Sequence, residues 1–414
     1  MSNTIIWIIS LAAIAGVIIR PFRITEAVWA VAGAALLIIC TLITPADAAH
    51  GIAKGTDVYL FLLGMMLLAE VAREEMLFHW LAAQAANYAQ GSAKRLFLLI
   101  YIVGIIVTTF LSNDATAVVL TPAVAAACRA AKVSKPLPYL FICAFIANAA
   151  SFVLPISNPA NLVLYGTHMP ALLQWLPRYI LPSIFSIGVT YVVLYRTQRK
   201  TLHEPIEKNL EPPVLTNTGR TAAFGIAGTA VVLLLASALD IPLGLPTAIT
   251  GILTTIIVLL AAKKSPKSIV KGISWSVLPL VAGLFVIVEA LNKTGLIRTL
   301  SAFLTNSAAR SVSQTAWTSG IGIALLCNGM NNLPSGLIAA DVIRATHLPE
   351  IIRSAILIGV DLGPNLSVTG SLATILWLVA LKREGQTVSA WTFLKLGMLV
   401  MTPALLAALA GLRI

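Results

Sequence analysis

Apolar runs of about 18 residues or more, the length that crosses a bilayer as an α-helix, recur from one end of this chain to the other. The 414 residues are 58% hydrophobic and only 11% charged, which is far more apolar than an ordinary soluble domain. The sequence therefore predicts an all-α polytopic membrane protein and argues against a soluble fold.

Ten apolar segments are each predicted to cross the bilayer once. They cover residues 4–19, 26–44, 57–72, 138–165, 172–195, 221–239, 247–262, 276–292, 350–381 and 390–412. Two further segments, 96–130 and 314–345, are interrupted near the middle by polar residues. Each half of these two is expected to be too short to span alone, so both are predicted to be re-entrant hairpins.

A polar linker at residues 196–220 divides the chain into 1–195 and 221–414. Lys and Arg flank it and return at 263–271 after two more predicted crossings, which places the linker in the cytoplasm and both termini outside. These loops account for the net charge of +12, so no nucleic-acid partner is predicted. The first apolar run has basic residues after it rather than before it, which predicts a retained helix and not a signal peptide.

The two halves share an internal similarity. Gly64 and Glu70 have counterparts about 219 residues later in Gly283 and Glu289. An asparagine-containing break follows in each half, at 112–114 and 330–332, and PISNPAN at 155–161 is matched by DLGPN at 361–365. The pattern predicts two inverted repeats of about five transmembrane helices plus one re-entrant hairpin each. Their discontinuous helices would meet at the bilayer midplane, an arrangement used by many secondary transporters.

The first break contains the sharpest candidate residue, Asp114, because an ionisable group inside a membrane is costly and is a functional-site candidate by default. It follows Ser112 and Asn113, where the helix is expected to stop and to line a wet cavity. The alternative is structural. Ser112 and Asn113 would cap a helix, and the Asp114 carboxylate would accept backbone hydrogen bonds at the N-terminus of that helix, where the helix dipole is positive.

The four breaks together supply the predicted site. Two carboxylates are predicted to couple protons, Asp114 and Asp361. The predicted substrate-binding residues are amide, hydroxyl and backbone groups: Ser112, Asn113, Asn158, Asn161, Asn331, Asn332, Gly363 and Asn365. The alternative is that these polar groups only hold packed helices together.

Other ionisable residues are weaker candidates. Glu70 has Arg73 nearby and Glu289 has Lys293 nearby, so an interfacial ion pair is at least as good an interpretation as transport. His168 follows the second break and is a minor candidate for a proton relay.

No enzymatic or metal chemistry is predicted. The four cysteines form no CxxC pair and no Cys/His cluster, and they are interpreted as small packing residues, so neither a metal site nor a cofactor is expected. The sequence contains no GxxxxGK[ST] loop for nucleotide phosphates. Energy for transport would come from an ion gradient or from a separate subunit.

Four motifs resemble those of the arsenite efflux permeases, part of a larger ion-transporter superfamily. They are LSNDATAVVLTP (111–122), PISNPANLVLYG (155–166), CNGMNNLPSGL (327–337) and DLGPNLSVTGSLATILW (361–377). The resemblance implies export of trivalent arsenite and antimonite across a bacterial inner membrane in exchange for protons. It also implies, for some members, a soluble arsenite-stimulated ATPase partner, and for the wider superfamily homodimers that work by an elevator motion.

The chemistry of the breaks is compatible with that substrate. Arsenite at neutral pH is mostly an uncharged trihydroxide, which suits amide, hydroxyl and backbone groups, whereas a dicarboxylate would favour fixed positive charge. The four breaks contain no Lys or Arg. The alternatives are a sodium/proton antiporter on the same scaffold, the membrane subunit of an ATP-driven pump, and a passive channel.

Overall fold

The computed structural model describes residues 2–21, 24–166, 169–208 and 214–413. Within these residues the chain folds into helices, and the β contacts are limited to an isolated bridge between Ser92 and Pro205. The first half of the described chain contains these α-helices: α1 (Ser2–Ile19), α2 (Glu26–Ile39), α3 (Pro45–Lys54), α4 (Thr56–Glu74), α5 (Leu77–Tyr88), α6 (Ala93–Phe110), α7 (Asn113–Ala115), α8 (Thr121–Ala130), α9 (Leu137–Ala149), α10 (Pro159–Tyr165) and α11 (Leu172–Gln198).

The second half of the described chain is also helical. It contains α12 (Asn217–Ala238), α13 (Gly244–Ala262), α14 (Lys267–Gly272), α15 (Val277–Lys293), α16 (Leu296–Arg310), α17 (Val312–Met330), α18 (Asn332–Arg344), α19 (Glu350–Leu362), α20 (Leu372–Arg383) and α21 (Ala390–Gly411). Short 3-10 helices occupy Pro155–Ser157, Thr201–His203 and Gly363–Leu366, and a π-helix occupies Thr116–Leu120.

Six of the described helices are long and apolar enough to cross a membrane, namely α1, α6, α11, α12, α13 and α21. Counting each of two bent pairs as one span, α3 with α4 and α15 with α16, raises the number to eight. The predicted all-α polytopic membrane fold is confirmed. The ten predicted crossings include the short helix α2 and two broken segments, which are not among these eight, and leave out α6, which is one of them.

The segment 93–130 folds back on itself as predicted for a hairpin. Gly91, just before α6, accepts a hydrogen bond from the Ile206 amide (3.2 Å), and Ala131, just after α8, accepts one from the Glu207 amide (2.9 Å). Because two neighbouring linker residues hold both ends, the segment starts and finishes on the same side of the molecule. We call this the linker side.

The predicted short length of the hairpin arms is wrong for α6. This helix has 18 residues, and its length and composition suffice to cross a membrane. It begins earlier than the apolar pattern suggests because the Ser92 side chain caps it, accepting a hydrogen bond from the Arg95 amide (3.4 Å). Charge in this first turn interrupts the apolar pattern, which therefore begins later than the helix does.

The long helices pack in pairs that join the two halves. Helix α4 packs against α13, and its counterpart α15 packs against α2. A Cβ on Gly64 would lie 2.2 Å from the Thr247 carbonyl oxygen, and one on Gly283 would lie 2.7 Å from the Ala30 carbonyl carbon. The two glycines that matched in sequence therefore occupy equivalent close crossings. The orientation of the halves in a bilayer and the boundaries 1–195, 196–220 and 221–414 stay predictions.

The short helices α3, α5, α14 and α16 were not predicted, because they are too short or too polar to register as spans. Charged residues near them form ion pairs. Glu70 pairs with Arg73 (2.5 Å), as the ion-pair interpretation expects, but Glu289 pairs with Lys54 of α3 (2.7 Å) and not with Lys293. Of the four cysteines, three are buried as expected for packing residues, whereas Cys40 is exposed.

Candidate functional site

The tip of the first hairpin is a helix break stabilised by its own polar residues. Ser112 is extended and caps the helix restart, its hydroxyl accepting a hydrogen bond from the Ala115 amide (3.2 Å). Asn113 is 3% exposed, and its side-chain oxygen accepts a hydrogen bond from the Asp114 amide (2.9 Å). The predicted capping role is therefore present, and it leaves the Asp114 carboxylate unused.

The Asp114 side chain is half-buried and lines a large cavity, which has a volume of about 570 Å³. Among the described residues, none donates a hydrogen bond to its carboxylate. Ser112 and Pro159 line the same cavity, so the first hairpin tip and the first broken helix meet there. An unpaired carboxyl group beside a polar helix break is suited to bind and release a proton.

The cavity extends from this tip towards the linker side. Its walls are mostly apolar, with Leu62, Val118 and Leu376 among the lining residues, and charged side chains lie where α4, α14 and α20 contribute to it. These charged residues are Glu70, Arg73, Lys271, Arg383 and Glu384.

In the first broken helix, two asparagines have different roles. Asn158 caps α10 by accepting a hydrogen bond from the Ala160 amide (3.0 Å), and it donates from its side chain to the Asp361 carboxylate (2.9 Å). Asn161 is fully buried and donates to backbone carbonyls of its own loop, including that of Ser151 (3.0 Å). Asn158 thus connects the two halves, whereas Asn161 fixes the shape of the break.

The second broken helix is closed to solvent. Asp361 is 0% exposed, and its second carboxylate oxygen is buried with no hydrogen-bond partner among the described residues. Asn365 accepts from the Asn148 side chain (2.9 Å) and donates to the Phe145 carbonyl (2.9 Å). The Gly363 carbonyl accepts a hydrogen bond from the side chain of the hairpin residue Asn328 (3.0 Å).

The tip of the second hairpin packs against this break. Asn331 adopts a positive φ of 74° and caps α18, accepting a hydrogen bond from the Leu333 amide (3.3 Å). The Asn332 amide donates to the Gly370 carbonyl (2.9 Å). Asn331 borders a void of about 10 Å³, separate from the cavity at Asp114.

The four breaks are linked in a chain of hydrogen bonds. Ser157 donates to the Thr109 carbonyl in the first hairpin (3.0 Å), which completes the chain through Asn158 and Asp361 to the second hairpin. The structure therefore brings the breaks together, but it exposes only Ser112, Asp114 and Pro159 to the large cavity. The other predicted residues are held in polar packing.

Sequence reasoning missed Asn148 and Ser157, which connect the breaks. Asn148 lies near the end of an apolar helix, and an isolated amide in such a run is a signal that could have marked it. His168 lies outside the described residues. Among the residues that the structure describes, no group of three or more His, Cys, Asp or Glu side chains is placed to hold a metal ion.

The fold and the clustered helix breaks define a multi-span membrane transporter. A similar fold is found in the crystal structure of the YdaH transporter of Alcanivorax borkumensis, with a TM-score of 0.58, 15% identity, and coverage of 88% of this chain and 86% of that one. The chain belongs to the citrate transporter family, which matches residues 5–360.

Two curated relatives carry a more specific name. The arsenical pump membrane protein of Escherichia coli K12 is 27% identical over 396 residues, which cover 92% of each chain. The protein of the same name from Yersinia enterocolitica is 27% identical over 363 residues, which cover 85% of each chain. These relatives confirm the predicted resemblance to the arsenite permeases.

Proposed function

We propose that this protein exports trivalent arsenite and antimonite from the bacterial cytoplasm in exchange for protons, by alternating access of the elevator type. One observation carries the proposal. Asp114, a carboxyl group without a partner among the described residues, lies at a helix break on the wall of a cavity of about 570 Å³. The similarity to proteins named arsenical pump membrane protein supports the choice of substrate.

The groups around the first break suit an uncharged trihydroxide. Ser112 provides a hydroxyl, and backbone groups freed by the break beside Pro159 provide further donors and acceptors. The four breaks contain no Lys or Arg that would be needed to balance a carboxylate substrate. This composition favours arsenite over citrate at the inner end of the cavity.

Proton exchange would take place on Asp114. In the proposed cycle the carboxyl group takes up a proton when it faces the outside and releases it when it faces the cytoplasm. Substrate binds after release, so proton and substrate occupy the site in turn. Asp361 is proposed as a second coupling carboxyl, since its buried oxygen has no partner among the described residues.

The proposed orientation follows the basic linker. Lys132 pairs with Glu207 of the linker (2.9 Å), and Lys264 pairs with Glu75 on the same side (2.7 Å). The positive-inside rule assigns this basic side to the cytoplasm and both termini to the outside. Two partners are proposed from the resemblance alone. They are a soluble arsenite-stimulated ATPase bound on the cytoplasmic side and a second copy of the chain.

Everted membrane vesicles from cells without other arsenite carriers test the proposal. Acidification of the lumen should drive arsenite and antimonite uptake without ATP, and a protonophore should abolish that uptake. Sodium-dependent proton movement without arsenite uptake would instead identify a sodium/proton antiporter. Uptake that requires ATP and an added ATPase would identify the membrane subunit of a pump. Arsenite uptake that does not depend on the proton gradient would identify a channel, and uptake of citrate without arsenite would identify a citrate carrier.

A further inference from the structure

The linker-side mouth of the cavity carries a charge pattern that the four breaks do not. Lys271 at the end of α14 and Arg383 at the end of α20 both line the cavity. Both side chains are exposed, so they meet solution at the opening. The mouth therefore places an ammonium group and a guanidinium group on the path to Asp114.

The carboxylates at this mouth are already paired with other cations. The ion pairs are Glu70 with Arg73 (2.5 Å) and Glu384 with Arg129 (2.5 Å). Within the described part of the chain, neither Lys271 nor Arg383 forms an ion pair with a carboxylate. Two positive charges are thus left without a counter-charge at one opening.

The shape of the cavity strengthens the electrostatic effect of these two positive charges. A cleft with apolar walls focuses the field of charges at its rim and raises the local concentration of oppositely charged ions. Arg383 can offer two parallel N–H groups to an oxyanion, and Lys271 of α14 can offer a point charge. The Ser274 side chain, three residues after Lys271, also lines the cavity.

We propose that this mouth is a binding site for a small multivalent oxyanion of the phosphate type, held between Lys271 and Arg383. The site is distinct from the arsenite site at the first break, and only its effect on transport depends on the function proposed above. A bound anion lies between the linker-side solution and Asp114. It therefore competes with entry of the uncharged substrate and keeps anions from reaching the break.

Binding is tested without transport, on purified protein in nanodiscs of zwitterionic lipid. Isothermal titration with inorganic phosphate is done at constant ionic strength, with chloride as the balancing salt. We expect one saturable site, and we expect the K271Q/R383Q double variant to bind phosphate at least about tenfold more weakly. The matched double variant K267Q/K382Q removes one charge from each of the same helices outside the cavity lining and should bind within about twofold of the unmodified protein.

Two results would overturn the site. One is the absence of saturable phosphate binding to the unmodified protein, and the other is equal weakening by the two double variants. A monodisperse elution profile for both variants shows that folding is retained. If both double variants failed to fold, the single variants Lys271→Gln and Arg383→Gln would each be expected to weaken binding severalfold.

The vesicle assay separates this inference from the proposed function. Phosphate on the linker side should inhibit arsenite uptake by the unmodified protein and by K267Q/K382Q, but not by K271Q/R383Q. Citrate should bind at the mouth and inhibit without being transported. If citrate were transported and arsenite were not, the proposed function would be wrong while the anion site would stand. If arsenite were transported with no inhibition by either anion, the proposed competition between anion and substrate at the mouth would be wrong, and the proposed function would stand.

Discussion

The two hairpin tips are built from similar residues but lie in different surroundings. The first tip, at residues 112–114, borders a cavity of about 570 Å³ and presents to it the Asp114 carboxylate, which has no partner among the described residues. The second tip, at 331–332, borders a void of about 10 Å³ and is hydrogen-bonded to the break that contains Gly370. One tip is open towards the linker side and the other is closed.

This difference shows two ways to provide hydrogen-bond partners for the polar groups at a helix break inside a membrane protein. Backbone groups freed by a break must find water or protein partners, since lipid offers none. At the first tip, side chains of the break itself accept hydrogen bonds from its amides, and the cavity leaves Asp114 open to water. At the second tip, the Thr369 and Gly370 carbonyls accept hydrogen bonds from Asn331 and Asn332. A transporter that alternates its access would exchange the two environments, so the comparison identifies which tip to perturb.

Removing the carboxylate at the open tip should have the largest effect. Asp114→Asn keeps the shape of the side chain but cannot release a proton, so proton-driven arsenite export should fall at least about a hundredfold. Uptake in everted vesicles measures this directly. Asp341→Asn, which changes a carboxylate paired with Arg344 (2.6 Å) away from the cavity, is the control. Undiminished export by Asp114→Asn would remove the proposed coupling role.

Single cysteines should report the open and closed tips. In a background with the four native cysteines replaced by alanine, Val118→Cys lines the large cavity, and Leu333→Cys lines the small void. Both native side chains are half-buried, which makes them a matched pair. A membrane-impermeant maleimide added from the linker side should modify the Val118→Cys variant at least about tenfold faster than the Leu333→Cys variant, because only an accessible thiolate reacts. Equal rates would contradict the assigned asymmetry.

Close packing at the closed tip should make it intolerant of added volume. A Cβ on Gly370 would lie 2.5 Å from the Pro364 Cα, so Gly370→Ala should lower the free energy of unfolding by about 2 kcal/mol. Gly329→Ala is the matched control, because nothing lies within 4 Å of its Cβ. It should change stability by less than about 1 kcal/mol. Thermal unfolding in detergent, followed by tryptophan fluorescence, compares the two variants.

Much of this comparison was predictable from the sequence because it depends on local patterns. Apolar runs indicated the long helices, and polar residues in the middle of apolar segments indicated the breaks at Ser112, Asn158, Asn331 and Asn365. A side chain that lipid cannot satisfy marks its own position in a sequence. The matched order of Gly64 and Gly283 likewise indicated equivalent crossings.

The remainder depends on contacts between distant residues. Asp114 and Asp361 look alike in sequence, yet one lines a cavity and the other is 0% exposed, and only packing decides between them. The partner of Glu289 is Lys54, 235 residues away, rather than the nearby Lys293. The role of the cations at the cavity mouth was not predicted either, because basic residues next to membrane spans are expected from membrane topology alone.

The smallest expected effect comes from replacing the buried carboxyl group of Asp361 with an amide. Asp361→Asn keeps an oxygen that accepts the hydrogen bond from Asn158, so it should lower the free energy of unfolding by less than about 1 kcal/mol. Asp361→Ala leaves the buried Asn158 amide without its partner and should be more destabilising, by about 1–3 kcal/mol. Thermal unfolding of both variants measures the difference. Equal stabilities would show that the bond between the two broken helices contributes little to holding them together.

Transport by the same Asp361→Asn variant sharpens the comparison of the two carboxyl groups. Asp361 does not line the large cavity, so its neutralisation should slow proton-driven export less than Asp114→Asn does. If Asp361→Asn abolished export while leaving stability unchanged, the proton would be exchanged chiefly at the closed site. The cavity at the first tip would then serve substrate entry rather than coupling.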